Sequence, residues 1–361
     1  MRKFCLFLTL IIFCLSASTL FACDKGGSSL DCYYFKTGIH IETHDKPLTD
    51  KTVAELKNLF SSLENEFDNK KEDSLVYSFN NLGVGEKISL SKHGANVLSL
   101  SKRCFLFTDG LFDPSVYPLV KLWQFSPNYP VNDFTPPTEE QILETLNTVG
   151  FDGATFNFDD DTLTKNKEGV MLDFGGIVKG YAADRGAEIL KNAGHNSGYI
   201  SIGGSSLYIL SVESLGVIHP KKANLGQSIL SINLKDKKDL SVSTSGDYEK
   251  SYLFGDKSYS HLINPKTGYP ADTGVCSVTV IGADGGFSDA VTTAACLKEH
   301  HPNSALTSPL TAFLNKILNE YPTAQVYAIY DDGINKQILT NQNQGENFTL
   351  LDSEYTIINF N

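Results

Sequence analysis

Three stretches of this chain carry too much glycine, hydroxyl and titratable chemistry to be plain core. In residues 173–180, Asp173 and the pair Gly175-Gly176 precede Lys179 and Gly180. Glycines there let a backbone approach a ligand closely, and Lys179 adds a cation suited to phosphate. A tight structural turn would use the same glycines. Residues 243–248 and 259–270 gather hydroxyls, His261 and a Pro/Gly turn. A lone His is more often structural, but an imidazole titrates near neutrality and can take a proton from a hydroxyl or water. In residues 288–295, Asp289 and Thr293 stand four apart and so share one helix face. A carboxylate and a hydroxyl together suit a hard, oxygen-seeking cation such as Mg²⁺. An Asp in a first helical turn also serves the helix dipole.

The elements that must position these groups follow from periodicity. Val53, Leu56, Leu59, Phe60, Leu63 and Phe67 mark a helix over 53–67 with one buried face. A second helix is expected over 91–107, stopped by Asp109-Gly110. Residues 78–81 read as a polar turn, and 126–138, with four prolines, as an irregular connector. Thr138 to Gln141 opens another helix with capping-box chemistry. Strands are expected over 154–158, 169–174, 199–202, 229–234, 240–244, 274–281 and 325–330, and helices over 180–192 and 289–297. Helices and strands mix without a regular alternation, which points to the α+β class.

The chain has 361 residues, 41% of them hydrophobic, enough for a substantial core. Its formal net charge of -12 becomes -14 if Arg2 and Lys3 are removed with a leader. Such an acidic chain without a basic stripe repels nucleic acid. Arg2 and Lys3, an apolar run over 4–15 and Leu20-Phe21-Ala22-Cys23 read as a lipoprotein signal peptide over 1–22. Cys23 would then carry lipid and hold the protein to a membrane, with 23–30 as a flexible tether and 31–361 as the folded body. Cys32, Cys104, Cys276 and Cys296 remain, either as two disulfides or as free thiols.

In order along the chain, residues 78–80, 108–123, 173–184, 202–204, 243–248, 259–270 and 289–293 resemble the ApbE family of flavin transferases. The resemblance runs from about Val53 to Tyr327. It implies two closely packed α/β lobes with FAD in the cleft between them. It further implies that Asp289, Thr293 and the Gly176 carbonyl hold Mg²⁺. Leu111, Phe112, Asp113, Asp173, Lys179 and Leu262 would contact the flavin nucleotide, and His261 would be the catalytic base. The implied reaction is transfer of FMN from FAD to a threonine of a periplasmic or membrane redox protein, releasing AMP. The implied location is the bacterial cell envelope, on the periplasmic side of the cytoplasmic membrane. Hydrolysis of FAD to FMN and AMP is the alternative, and a non-catalytic flavin-binding lipoprotein a second.

One position departs from the family pattern. Many members carry a tyrosine about ten residues before the Ser78-Phe79-Asn80 block, where it stacks on FAD. This chain has Asn69 or Lys70 there. The loss is expected to weaken FAD retention and to favour turnover of free FAD. Gly153-Ala154-Thr155 matches the acceptor motif for flavinylation, but its place within an expected strand of the enzyme body marks it as coincidence.

Overall fold

The computed structural model describes residues 26–125, 134–221 and 225–360. The expected signal peptide, Cys23 and most of the proline-rich connector lie outside the described residues. A nine-stranded sheet forms the middle layer. Its spatial order is β1 (Ser28–Tyr34), β2 (Thr37–Thr43), β6 (Gly198–Ile202), β7 (Ser206–Ser211), β10 (Leu240–Gly246), β13 (Val275–Ile281), β14 (Gln325–Asp331), β15 (Lys336–Thr340) and β17 (Thr356–Asn359). Every pairing is antiparallel except β15 with β17.

Both faces of this sheet are covered, so its central strands do not alternate between buried and exposed. In β14, Val326 and Ala328 enter one core while Tyr327 and Ile329 enter the other. The first core lies under the helices α1 (Asp50–Phe67), α3 (Lys92–Phe107), α6 (Val178–Asn192), α7 (Gly285–Cys296) and α8 (Pro309–Glu320). Helix α1 buries Leu56, Phe60, Leu63 and Phe67, the periodic face expected of it, and Thr49 caps its start by accepting from Thr52 N. The second core is closed by a three-stranded sheet of β8 (Ser214–Ile218), β9 (Ser228–Asn233) and β16 (Phe348–Leu350). The α+β class is the one expected.

Smaller elements complete one side of the molecule. Strands β3 (Lys87–Ser89), β5 (Thr162–Lys165) and β4 (Ala154–Asn157) form a third sheet. The hairpin of β11 (Ser251–Phe254) and β12 (Lys257–Ser260) packs on α4 (Tyr117–Leu122) and α5 (Glu139–Leu146) through Trp123, Phe125, Phe134, Tyr252 and Ile263. Phe134 stacks on Tyr252 with ring centroids 4.3 Å apart. The capping box of α5 forms between Thr138 and Gln141 as expected. Thr155 lies within β4, paired with Thr164.

Four expectations need correction. Residues 169–174 are not a strand. Asn80 takes the ladder's place there: its Nδ2 donates to Leu172 O at 3.0 Å and its Oδ1 accepts from Leu172 N at 2.6 Å. Asp173 N then donates to Pro114 O at 2.8 Å. Residues 78–80 are not a turn but the end of α2 (Leu75–Asn80), which Ser74 caps and which buries Val76 and Phe79. The folded body begins at Ser28, inside the expected tether, because Ser28 N meets Thr43 Oγ1 at 3.2 Å and pairs β1 with β2. Helix α7 starts at Gly285, four residues before the expected start, because close helix packing uses the Gly285-Gly286 pair that reads locally as a turn. Among the described residues, Cys32, Cys104, Cys276 and Cys296 are free thiols.

Candidate active site

The site gathers where α6 and α7 begin, against the ends of β7 and β10. Asp289 is buried in the second turn of α7. Its Oδ2 accepts from Gly180 N at 3.1 Å and faces Lys179 Nζ at 3.5 Å. Its Oδ1 accepts from Ser206 Oγ at 3.2 Å. One turn on, Thr293 Oγ1 donates to Asp289 O at 3.1 Å and lies 3.1 Å from Ser245 Oγ. The glycine loop closes over them. A Cβ placed on Gly176 would stand 3.8 Å from Thr293 Oγ1 and 3.4 Å from the Phe112 ring. Lys179 Nζ also donates to Gly175 O at 3.2 Å.

This corner accepts a cation, since an ammonium already sits between a backbone oxygen and a buried carboxylate. Among the described residues, no three His, Cys, Asp or Glu side chains gather as a metal site. The available donors are one carboxylate, one hydroxyl and backbone carbonyls. An all-oxygen set of this kind fits Mg²⁺ and not a softer metal.

The other expected residues fall around the same corner. Asp173 Oδ1 accepts from Gly175 N at 2.6 Å, which shapes the glycine loop, and its Oδ2 accepts from Asn69 Nδ2 at 2.6 Å. Leu111 and Phe112 are buried after the left-handed pair Asp109 and Gly110, which ends α3. Asp113 is buried and satisfied locally by Ser115 N at 2.8 Å and Ser115 Oγ at 2.6 Å. Burial raises its carboxyl above the usual range despite those bonds. Its observed contacts are therefore those of a cap on the turn at 114–116. Leu262 is buried, with its carbonyl accepting from Ala271 N at 2.7 Å.

His261 follows directly on β12. Both its backbone N, at 3.0 Å, and its Nδ1, at 3.2 Å, reach Lys250 O. A carbonyl only accepts, so Nδ1 carries the proton and Nε2 keeps its lone pair. Protein atoms crowd the half-buried ring, and this desolvation pushes its pKa down to about 3. The charges of Lys250 and Lys179 act in the same direction. The imidazole is thus neutral at physiological pH and lies within the field of Lys179, which pairs with Asp289. The turn after it is braced by Trp123 Nε1, which donates to Gly268 O at 2.8 Å.

Sequence reasoning missed Ser206 and the roles of Asn80 and Ser245. Asn80 and Ser245 stood in segments already singled out, while Ser206 had no local signal of its contact.

The fold and this corner together set a glycine loop, a lysine and a buried carboxylate at the crossed starts of two helices, with a neutral imidazole in the field of that lysine. The ApbE family model matches residues 35–312, and the chain belongs to the ApbE family. It is 28% identical over 293 residues to a FAD:protein FMN transferase of Haemophilus influenzae, covering 77% of this chain and 83% of that one. It is 30% identical over 247 residues to the enzyme of the same name from Buchnera aphidicola, covering 67% and 69%. Among solved structures, an ApbE protein of Thermotoga maritima superposes with a TM-score of 0.70 at 26% identity, covering 84% of this chain and 94% of that one. The flavin transferase ApbE of Vibrio cholerae has the same fold, with a TM-score of 0.72 at 22% identity, covering 87% and 96%.

Proposed function

We propose that this chain is an FAD:protein FMN transferase that uses Mg²⁺. The observation that carries the reading is the corner of Asp289, Thr293, Lys179 and Gly175 with a neutral His261, its lone pair on Nε2, in the field of Lys179. Lys179 meets the negative pyrophosphate of FAD. His261 Nε2 takes the proton of an acceptor threonine as its oxygen attacks the FMN-side phosphorus. The bond from that phosphorus to the bridging oxygen breaks, and AMP leaves with that oxygen. Mg²⁺, held by Asp289, Thr293 and the Gly176 carbonyl, would supply positive charge to the pyrophosphate as this bond breaks. An imidazole with a pKa near 3 is a weak base before substrate binds. The pyrophosphate neutralises the lysine charges that help to depress it, so substrate binding itself strengthens the base.

Lipid on Cys23 would hold the enzyme in the cell envelope, on the periplasmic side of the cytoplasmic membrane. There it meets redox proteins carrying a threonine motif. A second reading, hydrolysis of FAD to FMN and AMP with water as nucleophile, is favoured by one contact. Asn69 bonds Asp173 where many relatives place a stacking tyrosine.

The test uses the full chain in detergent with FAD, Mg²⁺ and an acceptor domain bearing an exposed Gly-Ala-Thr motif. FMN added to the acceptor, seen by mass spectrometry and lost with EDTA, is the expected result. Free FMN and AMP with an unmodified acceptor would replace transfer by hydrolysis, and unchanged FAD would sink both readings.

A further inference from the structure

Asp184 touches none of the groups assigned to the chemistry, yet both its carboxylate oxygens are bound to partners on neighbouring elements. It lies two turns into α6. Its Oδ2 accepts from Gly285 N, at the start of α7, at 2.8 Å. Its Oδ1 accepts from Ser241 Oγ, on β10, at 2.6 Å. The first turn of a helix leaves backbone N–H groups without intrahelical partners. The residue that should cap α7, Asp284, makes no side-chain cap bond. It turns away to Arg103 at 3.5 Å and Tyr321 at 2.5 Å. Asp184, a hundred residues earlier in the chain, supplies the acceptor in its place.

Each helix therefore lends a carboxylate to the first turn of the other. Asp184 of α6 holds Gly285 N of α7, and Asp289 of α7 holds Gly180 N of α6. Between the two ties the backbones nearly touch, since a Cβ on Gly180 would lie 2.1 Å from Gly285 O. Ser243 Oγ donates to that same Gly285 O at 3.3 Å, so β10 grips the crossing from below. The register of α7 on α6 decides whether Asp289 and Thr293 face the glycine loop.

We propose that Asp184 is a positioning residue for the divalent-cation corner. It acts through Gly285 and Ser241 to set where α7 presents Asp289 and Thr293. The proposal rests on the metal reading above, and supporting groups of this kind change metal affinity by about 10–100-fold when removed.

The experiment titrates Mn²⁺ into the full chain in detergent, with free Mn²⁺ followed by electron paramagnetic resonance and no flavin present. Asp184→Ala should weaken Mn²⁺ binding about 10-fold, while kcat for AMP release at saturating metal stays within about 2-fold of wild type. Asp184→Asn should bind Mn²⁺ within about 2-fold of wild type, because its amide still accepts from Gly285 N and reaches Ser241. Wild-type affinity in a folded Asp184→Ala overturns the proposal. So does an equal loss in the Asn variant, which would make the charge and not the hydrogen bonds responsible. If Asp184→Ala does not fold, Ser241→Ala keeps the question open to decision: an affinity loss of about 3-fold supports the proposal and no loss overturns it. Asp289→Ala probes the metal reading separately. It should abolish Mn²⁺ binding, and retained binding there removes the reading whatever the Asp184 variants do.

Discussion

At the scale of single residues, the proposed chemistry depends on one carbonyl. Lys250 O accepts the hydrogen bond of His261 Nδ1–H, which leaves the lone pair on Nε2. Long-range ¹H–¹⁵N spectra should show the Nδ1–H tautomer with Nε2 unprotonated down to pH 5, and a pKa that rises when FAD binds. A ring titrating near 6.5 without ligand would contradict the desolvated, cation-flanked setting. His261→Ala should lower kcat by about 10²- to 10⁴-fold with FAD affinity unchanged. If FAD affinity collapses instead, the ring is a ligand contact. Asn69 poses a second residue-scale question. Its bond to Asp173 places it beside the glycine loop. Asn69→Tyr should strengthen FAD retention measured by equilibrium dialysis, by about 10-fold for one added stack. Unchanged retention would show that position 69 does not face the flavin.

At the scale of elements, the glycines of α6 and α7 matter more than any local propensity. A glycine inside a helix costs stability relative to alanine, by about 1 kcal/mol. Gly180 is kept in α6 because Gly285 O occupies the space its Cβ would need. Gly180→Ala should therefore destabilise the protein despite the better helix former, by about 3 kcal/mol, as urea denaturation would measure. An increase in stability would show that the two helices are free to part. Elements with a strong internal period were legible, as in α1 with its face of Leu56, Phe60 and Leu63. Elements made by distant partners were not. Residues 169–174 have a strand-like composition, but Asn80 satisfies Leu172 and no neighbouring strand does. The first turn of α7 was not legible because its glycines answer to α6.

At the scale of the whole molecule, three layers bury charge at the point where they meet. Asp184 lies between helices and sheet, and burial raises its pKa to about 6 from 3.8. The native protein thus keeps this proton over a range where the unfolded chain has released it. Stability falls as pH rises through that window, by about 3 kcal/mol in total. Asp184→Asn carries no such slope. Urea denaturation at pH 4 and pH 7 should show the Asn variant gaining on wild type by roughly that amount at the higher pH. Parallel behaviour of the two proteins would mean that Asp184 titrates normally.

The order and chemistry of the motifs were determined by the sequence alone. Asp289 and Thr293 share a helix face by spacing, and Gly175-Gly176 with Lys179 mark a tight loop that carries a cation. These are local facts, fixed by helix period and residue type. The class of the fold was legible for the same reason, since periodic helices and short strands follow each other without a regular beat. Only the tertiary structure decided which groups meet. Gly180 and Asp289 touch across 109 positions, and Asn69 and Asp173 across 104. Such pairs depend on how two helices cross over a sheet, and no local pattern of either segment encodes the other. The free state of Cys276 and Cys296 was decided in the same way, by where β13 and α7 come to rest.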